Sequence, residues 1–497
     1  MENEIIRTVN GTIITPYLRG QCKPLENMCS RYDSVYHKHI FTTGFYAEDE
    51  GIFLTHSLTT SFIKQHFPNY KITHKSATLY KFDSVDCKAG IVLRENQKNV
   101  MFKLENCDSE EIFLNVPTAV GKTFMGTIYA TFLQTKTLVM CKSVTILDQW
   151  EEAIDTITVG GSKRVYRVKG SDDLIKLIDG RVNPYNYDFF LMTPAVVTSF
   201  AKRQSWEEFG RIIEAARISL NIVDEAHLNI GASVRLNAST CVYKTLYLSA
   251  DDTRGSTDAK NAFNSVFYNT VFIRMDEDEL QQLKHIIAVF VTFNSKPDAG
   301  EIQQIQGGPY NWSHLEYSKY EFRKQITQAK TIFIINEILE ATKGKPYYKI
   351  LILLQTIDQI ESLGDELADI YKDKLTVGKF HSKMTKEDKI EARKCGVIVS
   401  TYGSFSVGVN EVNPEIRYVI STVPVDEVTT NQAGGRCRPI EGKYSWLYML
   451  YDTGFGYCEN KIRRVASYLT RSKIKDIYRR DLGPIDSKVR VDNFEDI

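Results

Sequence analysis

No apolar run in this 497-residue chain approaches the roughly 18–20 residues a membrane span needs. The longest, at 286–293 and 350–354, suit buried strands, so no membrane role is expected. Net charge is missing too: 62 basic and 62 acidic side chains cancel. A nucleic-acid partner would have to be held by local basic surface, not by a global positive field. The nine cysteines are odd in number, scattered, and contain no C-x-x-C pair. That argues against a disulfide framework and for a reducing, cytoplasmic setting. Cys22 and Cys29, with His37 and His39 nearby, lack zinc-ligand spacing, so no structural metal is expected. The opening Met-Glu-Asn-Glu lacks a basic segment followed by an apolar core, so no signal peptide is expected. With 43% hydrophobic and 25% charged residues, a disordered or fibrous chain is excluded.

What is present is an alternation. Short β-branched runs at 112–116, 137–141, 189–193, 220–223 and 245–249 are separated by helix-period stretches such as 123–132, 144–154 and 206–216. A second series follows at 349–354, 377–381, 397–401, 417–421 and 446–450, with helices expected over 357–371 and 386–394. Apolar strands alternating with helices mark parallel sheets covered on both faces. The reading is an α/β chain of two tandem parallel-sheet domains, 91–300 and 321–460. Pro297, Gly300, Gly307, Gly308 and Pro309 interrupt the pattern and place a linker at 301–320. Residues 1–90 fit neither series and are read as a small accessory domain, a place for substrate or partner recognition. Residues 461–497 are read as a basic C-terminal helix and tail.

The chemistry concentrates at strand ends. Val116-Pro117-Thr118-Ala119-Val120-Gly121-Lys122-Thr123 follows an apolar strand and opens a helix. Backbone N–H groups at such a helix start, with its dipole, favour phosphate oxygens. Thr118 and Gly121 would line the loop. Lys122 would reach the β/γ-phosphates, and Thr123 would offer a hydroxyl to Mg²⁺. Val116 stands where the full G-x-x-x-x-G-K-[ST] pattern has its first glycine, so a plain helix start capped by glycine is the competing reading. Leu220 through His227 forms an apolar strand ending in Asp224-Glu225-Ala226-His227. Asp224 at the carboxyl end of a strand can hold Mg²⁺, and Glu225 can orient an attacking water.

Together these motifs resemble those of the superfamily 2 helicases, in the branch with a DEAH-type second motif. The resemblance covers about residues 90–460 and implies two RecA-like domains that use ATP and Mg²⁺. It assigns Gln97, in Leu93-Arg94-Glu95-Asn96-Gln97, to adenine. It assigns Ser143 and Thr193, then His381 and Thr401 in the second domain, to the nucleic-acid backbone. Leu248-Ser249-Ala250-Asp251 stands where the family has Ser-Ala-Thr, with Asp251 departing from the pattern. Gly408 and Asn410 fall beside the nucleotide, and Gln432-Ala433-Gly434-Gly435-Arg436-Cys437-Arg438 resembles the arginine-finger motif. Gln432 and Arg436 are the catalytic candidates there, with Arg438, one residue early, as a nucleotide contact. Within the superfamily the UvsW-type phage DNA helicases look most similar, with poxvirus-type transcript-release helicases a second relative.

The resemblance implies an ATP-dependent helicase or translocase, with branched DNA favoured over RNA, working in viral or phage replication, recombination or repair. Two alternatives stand beside it: a helicase-like factor of transcript release or elongation, and a subunit that clamps nucleic acid without turnover. The stretch 461–480, rich in Lys and Arg, reads either as a solvated basic face or as an extra phosphate contact. Tyr310, Trp312, Tyr317 and Tyr320, at the domain join, read as aromatic packing between domains rather than as a base-stacking platform.

Overall fold

The computed structural model describes residues 3–493 except 10, 34–37, 42, 118–119, 229, 251–256, 307–311, 343–347, 407–415, 438–442, 470–473 and 483–489. The chain divides into two compact units, Met1–Met275 and Asp276–Ile497. Among the described residues no helix is long and apolar enough to cross a membrane.

In the first unit seven strands pair in parallel. Their order is Val165–Arg167, Phe189–Met192, Lys136–Met140, Ile218–Asp224, Lys244–Ser249, Glu111–Asn115 and Val271–Arg274. Strand side chains alternate between faces. Phe113, Leu138, Phe190, Val223 and Tyr247 pack with residues of the helices Pro194–Arg203, Trp206–Ala215 and Ile230–Ser239 on one face. Ile222 and Leu248 turn to the other, where Gly126 of the helix Lys122–Leu133 lies against them. At the amino end of this sheet Glu111 is buried, accepting hydrogen bonds from Tyr247 Oη (2.8 Å) and Asn237 Nδ2 (3.4 Å).

Residues 1–90 lie in the same unit. Their five-stranded sheet runs Gly44–Ala47, Ile52–His56, Gly11–Thr15, Glu4–Arg7, Lys71–His74, antiparallel except for the last pair. One face, with Ile5, Ile14 and Phe53, makes a small core with Leu25, Ile63 and Phe67. The other, with Ile13, Ala47 and Leu54, joins the core of the parallel sheet. Gly11 permits this approach, since a Cβ there would come within 2.5 Å of the Ala238 Cα. The accessory sheet is thus seated on the helix that follows Asp224.

The second unit holds an eight-stranded sheet ordered Val377–Phe380, Val397–Thr401, Lys349–Leu354, Ile416–Ser421, Ser445–Asp452, Ile286–Phe293, Ile474–Asp481 and Arg490–Asn493. All pairings are parallel but the last. Two tandem RecA-like parallel sheets with an N-terminal sheet is therefore the fold.

Three boundaries differ from the sequence reading. The strand Ile286–Phe293 belongs to the second sheet, not to a first domain ending at 300, and the division falls after Met275. An all-apolar run suits the centre of either sheet, and its partners Ser445–Asp452 and Ile474–Asp481 are remote in sequence. The span 301–320 is partly helical, entered by the helices Ala299–Ile305 and His314–Arg323, whose starts are capped by Asp298 and Ser313. The basic stretch is the helix Gly456–Leu469 and then the strand Ile474–Asp481, rather than one helix.

Candidate nucleotide and nucleic-acid site

The phosphate loop begins where the buried strand Glu111–Asn115 ends, with the Val116 N–H donating to the Ser249 carbonyl (3.2 Å). Gly121 has φ +100°, a left-handed conformation that L side chains rarely adopt, and the helix Lys122–Leu133 starts directly after it. Thr118 and Ala119 lie outside the described residues. The loop is held from behind. Gln97 is buried, and its amide Nε2 donates to the Val120 carbonyl (2.7 Å) while its Oε1 accepts from the Arg94 N–H (3.0 Å). Arg94 donates to the same Val120 carbonyl (2.6 Å). A Cβ on Gly121 would fall 2.7 Å from Gln97 Nε2, so a side chain there would displace the Gln97 amide. Gln97, assigned to adenine by resemblance, here spends both ends of its amide on the protein.

Asp224 closes the fully buried strand Ile218–Asp224. Its Oδ2 accepts from the Trp150 indole N–H (2.9 Å) and its Oδ1 from the Glu225 backbone N–H (2.9 Å). Burial and then the adjacent Glu225 charge push its carboxyl above the usual range; the Trp150 hydrogen bond, the Lys122 ammonium and the Glu225 amide oppose them. Each oxygen keeps a lone pair for a metal or its water. Glu225 takes a left-handed φ of +49° and is partly exposed. Its carboxylate lies 3.1 Å from His227 Nδ1, which is also 2.6 Å from Ser249 Oγ. The ring of His227 thus bridges the acidic turn and the end of the next strand. Cys141 is wholly buried, and burial followed by the Asp224 and Glu225 charges raises its thiol, so it is an inert wall of the site.

Ser143 and Thr193 stand at the helix starts that follow two neighbouring strands, in which Met140 pairs with Met192. Neither side chain caps its helix, Val144–Ile157 or Pro194–Arg203, and Ser143 Oγ is buried without a hydrogen-bond partner. Such helix starts keep unpaired N–H groups and a positive dipole end for an anion.

The second-unit candidates are differently placed. His381 Nε2 lies 2.9 Å from Glu361, which also pairs with Lys379 (2.8 Å). Thr401 Oγ1 accepts from the Ser404 N–H (2.9 Å) and donates to Ser404 Oγ (2.8 Å), capping the helix Tyr402–Ser406. Gln432 lies on the helix Glu427–Gly434, and Arg436 follows with its N–H on the Ala433 carbonyl (3.1 Å). That helix is anchored by Glu427, which takes Lys461 (3.2 Å) and Arg464 (3.1 Å). Gly408, Asn410, Arg438 and Asp251 lie outside the described residues. Arg479 pairs with Glu459 (2.8 Å) and Arg480 with Glu337, so much of the basic stretch is neutralised within its own unit. Trp312 stacks on Tyr457 (4.2 Å between centroids) and packs near Tyr317, all inside the second unit.

His227 closes the acidic motif, but neither its partners nor the pairing of Trp150 with Asp224 is legible in the chain. The available signal was generic: a tryptophan or histidine buried beside carboxylates needs a polar partner.

Residues 90–250 match the family described as type III restriction enzyme, res subunit. Transcript termination protein A18 of Fowlpox virus (strain NVSL) is 22% identical over 334 residues, covering 65% of this chain and 66% of that protein. The chain thus spans just under two thirds of that relative's length. The solved structure of Mss116p (NTE and C-tail double deletion) bound to ssRNA and AMP-PNP has a TM-score of 0.50 at 15% identity, covering 78% of this chain and 74% of that one, a likeness of fold alone. Ordered motifs, a family match across the first parallel sheet and the tandem fold converge: the chain is similar to the superfamily 2 helicases, with a poxvirus transcript-termination protein among its relatives.

Proposed function

We propose that this chain is an ATP-dependent helicase or translocase that moves along nucleic acid. The observation that carries the reading is the carboxyl edge of the first parallel sheet. Going across it, Thr193, Ser143, Asp224, Ser249 and the Lys122 loop each stand at or just after the end of a strand in a run of five neighbours. Two uncapped helix starts occupy one half of this edge, and a phosphate loop with a buried carboxylate the other. Ligands of parallel α/β sheets bind outside this edge.

The residues fit a triphosphate with Mg²⁺. A left-handed glycine opens a helix with free N–H groups, and an Asp224 carboxylate keeps lone pairs within the field of Lys122. Lys122, Gly121, Thr118 and Thr123 would hold the phosphates, with Thr123 and Asp224 holding Mg²⁺. The ion, when bound, neutralises charge developing on the transferred phosphoryl oxygens. Glu225 would orient the attacking water, its carboxylate steered by His227. Arg436 is proposed to supply positive charge to the transferred phosphoryl group and Gln432 a neutral hydrogen-bonding amide, with Gly408, Asn410 and Arg438 as further nucleotide contacts. Ser143, Thr193, His381 and Thr401 are the proposed backbone contacts, which position a strand without reading its sequence.

DNA, forked or branched, is favoured over RNA, with residues 1–90 selecting substrate or partner. A second reading, action on a nascent transcript in an infected cell, is favoured by the poxvirus relative. Phosphate release measured with single-stranded, duplex and forked DNA and with RNA tests both. Stimulation is expected to be strongest on forked DNA and to vanish in Lys122→Ala. A strong preference for RNA would move the assignment to transcript release, and undiminished turnover in Lys122→Ala would overturn the motor reading.

A further inference from the structure

Trp150 is among the largest wholly buried side chains of the molecule. It sits on the helix Val144–Ile157, whose start carries Ser143, yet its polar atom points away from that helix's own needs. The indole N–H donates to Asp224 Oδ2 at 2.9 Å. The far end of the ring lies against the helix that carries Lys122 and Thr123: a Cβ added at Gly126 would meet Trp150 Cη2 at 2.9 Å. One rigid side chain of the helix that begins after Ser143 therefore touches both the helix of the phosphate loop and the carboxylate proposed to hold Mg²⁺.

The chemistry of this arrangement is directional. An indole N–H can only donate. It engages one lobe of Oδ2, while the Glu225 N–H engages Oδ1, so the carboxylate cannot rotate without breaking one of two hydrogen bonds, the first of them buried. Charge-assisted bonds of this kind are about twice as strong as neutral ones. The lobes left open are then fixed in direction before any ligand arrives. A side chain that merely filled the space would need no N–H.

We propose that Trp150 is a positioning residue: its indole N–H orients Asp224 for Mg²⁺ and fixes that carboxylate to the helix that begins at Ser143. This rests on the nucleotide-site reading above. It adds to that reading the group that preorganises the metal carboxylate, and it makes the helix Val144–Ile157 a mechanical neighbour of the metal.

The test compares the full chain with Trp150→Phe, which keeps an aromatic ring and removes the donor. A second variant carries 3-benzothienylalanine at position 150, which replaces N–H by sulfur at nearly constant shape and so guards against misfolding. Calorimetry gives the affinity for the non-hydrolysable analogue AMP-PNP with and without Mg²⁺; melting temperature and phosphate release are recorded beside it. Loss of the donor is expected to lower the Mg²⁺-dependent gain in affinity about 5–30-fold, leaving metal-free affinity within about twofold. The Mg²⁺ concentration for half-maximal turnover should rise by a similar factor. An unchanged Mg²⁺-dependent gain in both variants, with or without a lower melting temperature, would overturn the proposal and leave Trp150 as packing. Failure of the underlying reading looks different: the unaltered chain and Lys122→Ala would then bind Mg²⁺·AMP-PNP alike.

Discussion

The two parallel sheets share an architecture but use their motif residues differently. On the first, Ser143 Oγ is buried without a partner and neither Ser143 nor Thr193 caps its helix. On the second, Thr401 already caps a helix, His381 is held by Glu361, and Lys461, Arg464, Arg479 and Arg480 are paired with carboxylates. One sheet leaves a motif hydroxyl without a partner, while the other already engages its motif side chains within its own unit. Substrate affinity should therefore be concentrated in the first unit, and substitutions at matching motifs should separate into losses of binding and losses of stability.

The largest expected effect is Lys122→Ala, lowering stimulated phosphate release about 10²–10³-fold with melting temperature nearly unchanged. Asp224→Asn should lower it as far and also cost stability, because its amide NH₂ would face the Trp150 or the Glu225 N–H. An equal loss from Thr401→Ala would break the contrast. Next is Trp150→Ala, expected to cost about 3–5 kcal/mol in urea unfolding of the first unit, since a wholly buried indole and its hydrogen bond are lost together.

Glu111 sharpens the comparison from the opposite edge of the first sheet. Burial pushes its carboxyl up to about 7, only partly offset by its hydrogen bond from Tyr247. A raised folded-state pKa means that the native state binds the extra proton between the ordinary value and 7. Stability is then expected to fall as pH rises from about 4.5 to about 7, by roughly 3 kcal/mol, and Glu111→Gln should flatten that slope in urea titrations at several pH values. A slope that survives the substitution would assign it elsewhere.

The smallest effects give the cleanest separation. Thr401→Ala should cost about 1 kcal/mol of stability, as loss of a helix cap does. Ser143→Ala should leave stability within about 0.5 kcal/mol and weaken nucleic-acid binding a few-fold in fluorescence titrations. The reverse assignment would erase the distinction between the sheets.

The phosphate loop and the acidic turn were legible because each is contiguous: a strand, a sharp turn and a helix start within about a dozen residues carry the whole signal. The fold class was legible for a similar reason, since strand and helix periods are local. Gln97 shows where this stops. Its motif can be read from neighbouring residues, but that its amide grips the Val120 carbonyl depends on a loop folded back over it.

What the amino-acid order settled alone was the alternation of strands and helices and the placing of reactive side chains at strand ends. Tertiary structure decided that Ile286–Phe293 joins the second sheet, that 474–481 is a strand beside it, and that the accessory sheet shares its core with the first unit. It also joined Trp150 to Asp224, and His227 to both Glu225 and Ser249. Local periodicity reports which face of an element is buried. Which remote segment buries it, and which carboxylate a hidden N–H finds, are properties of the packed chain.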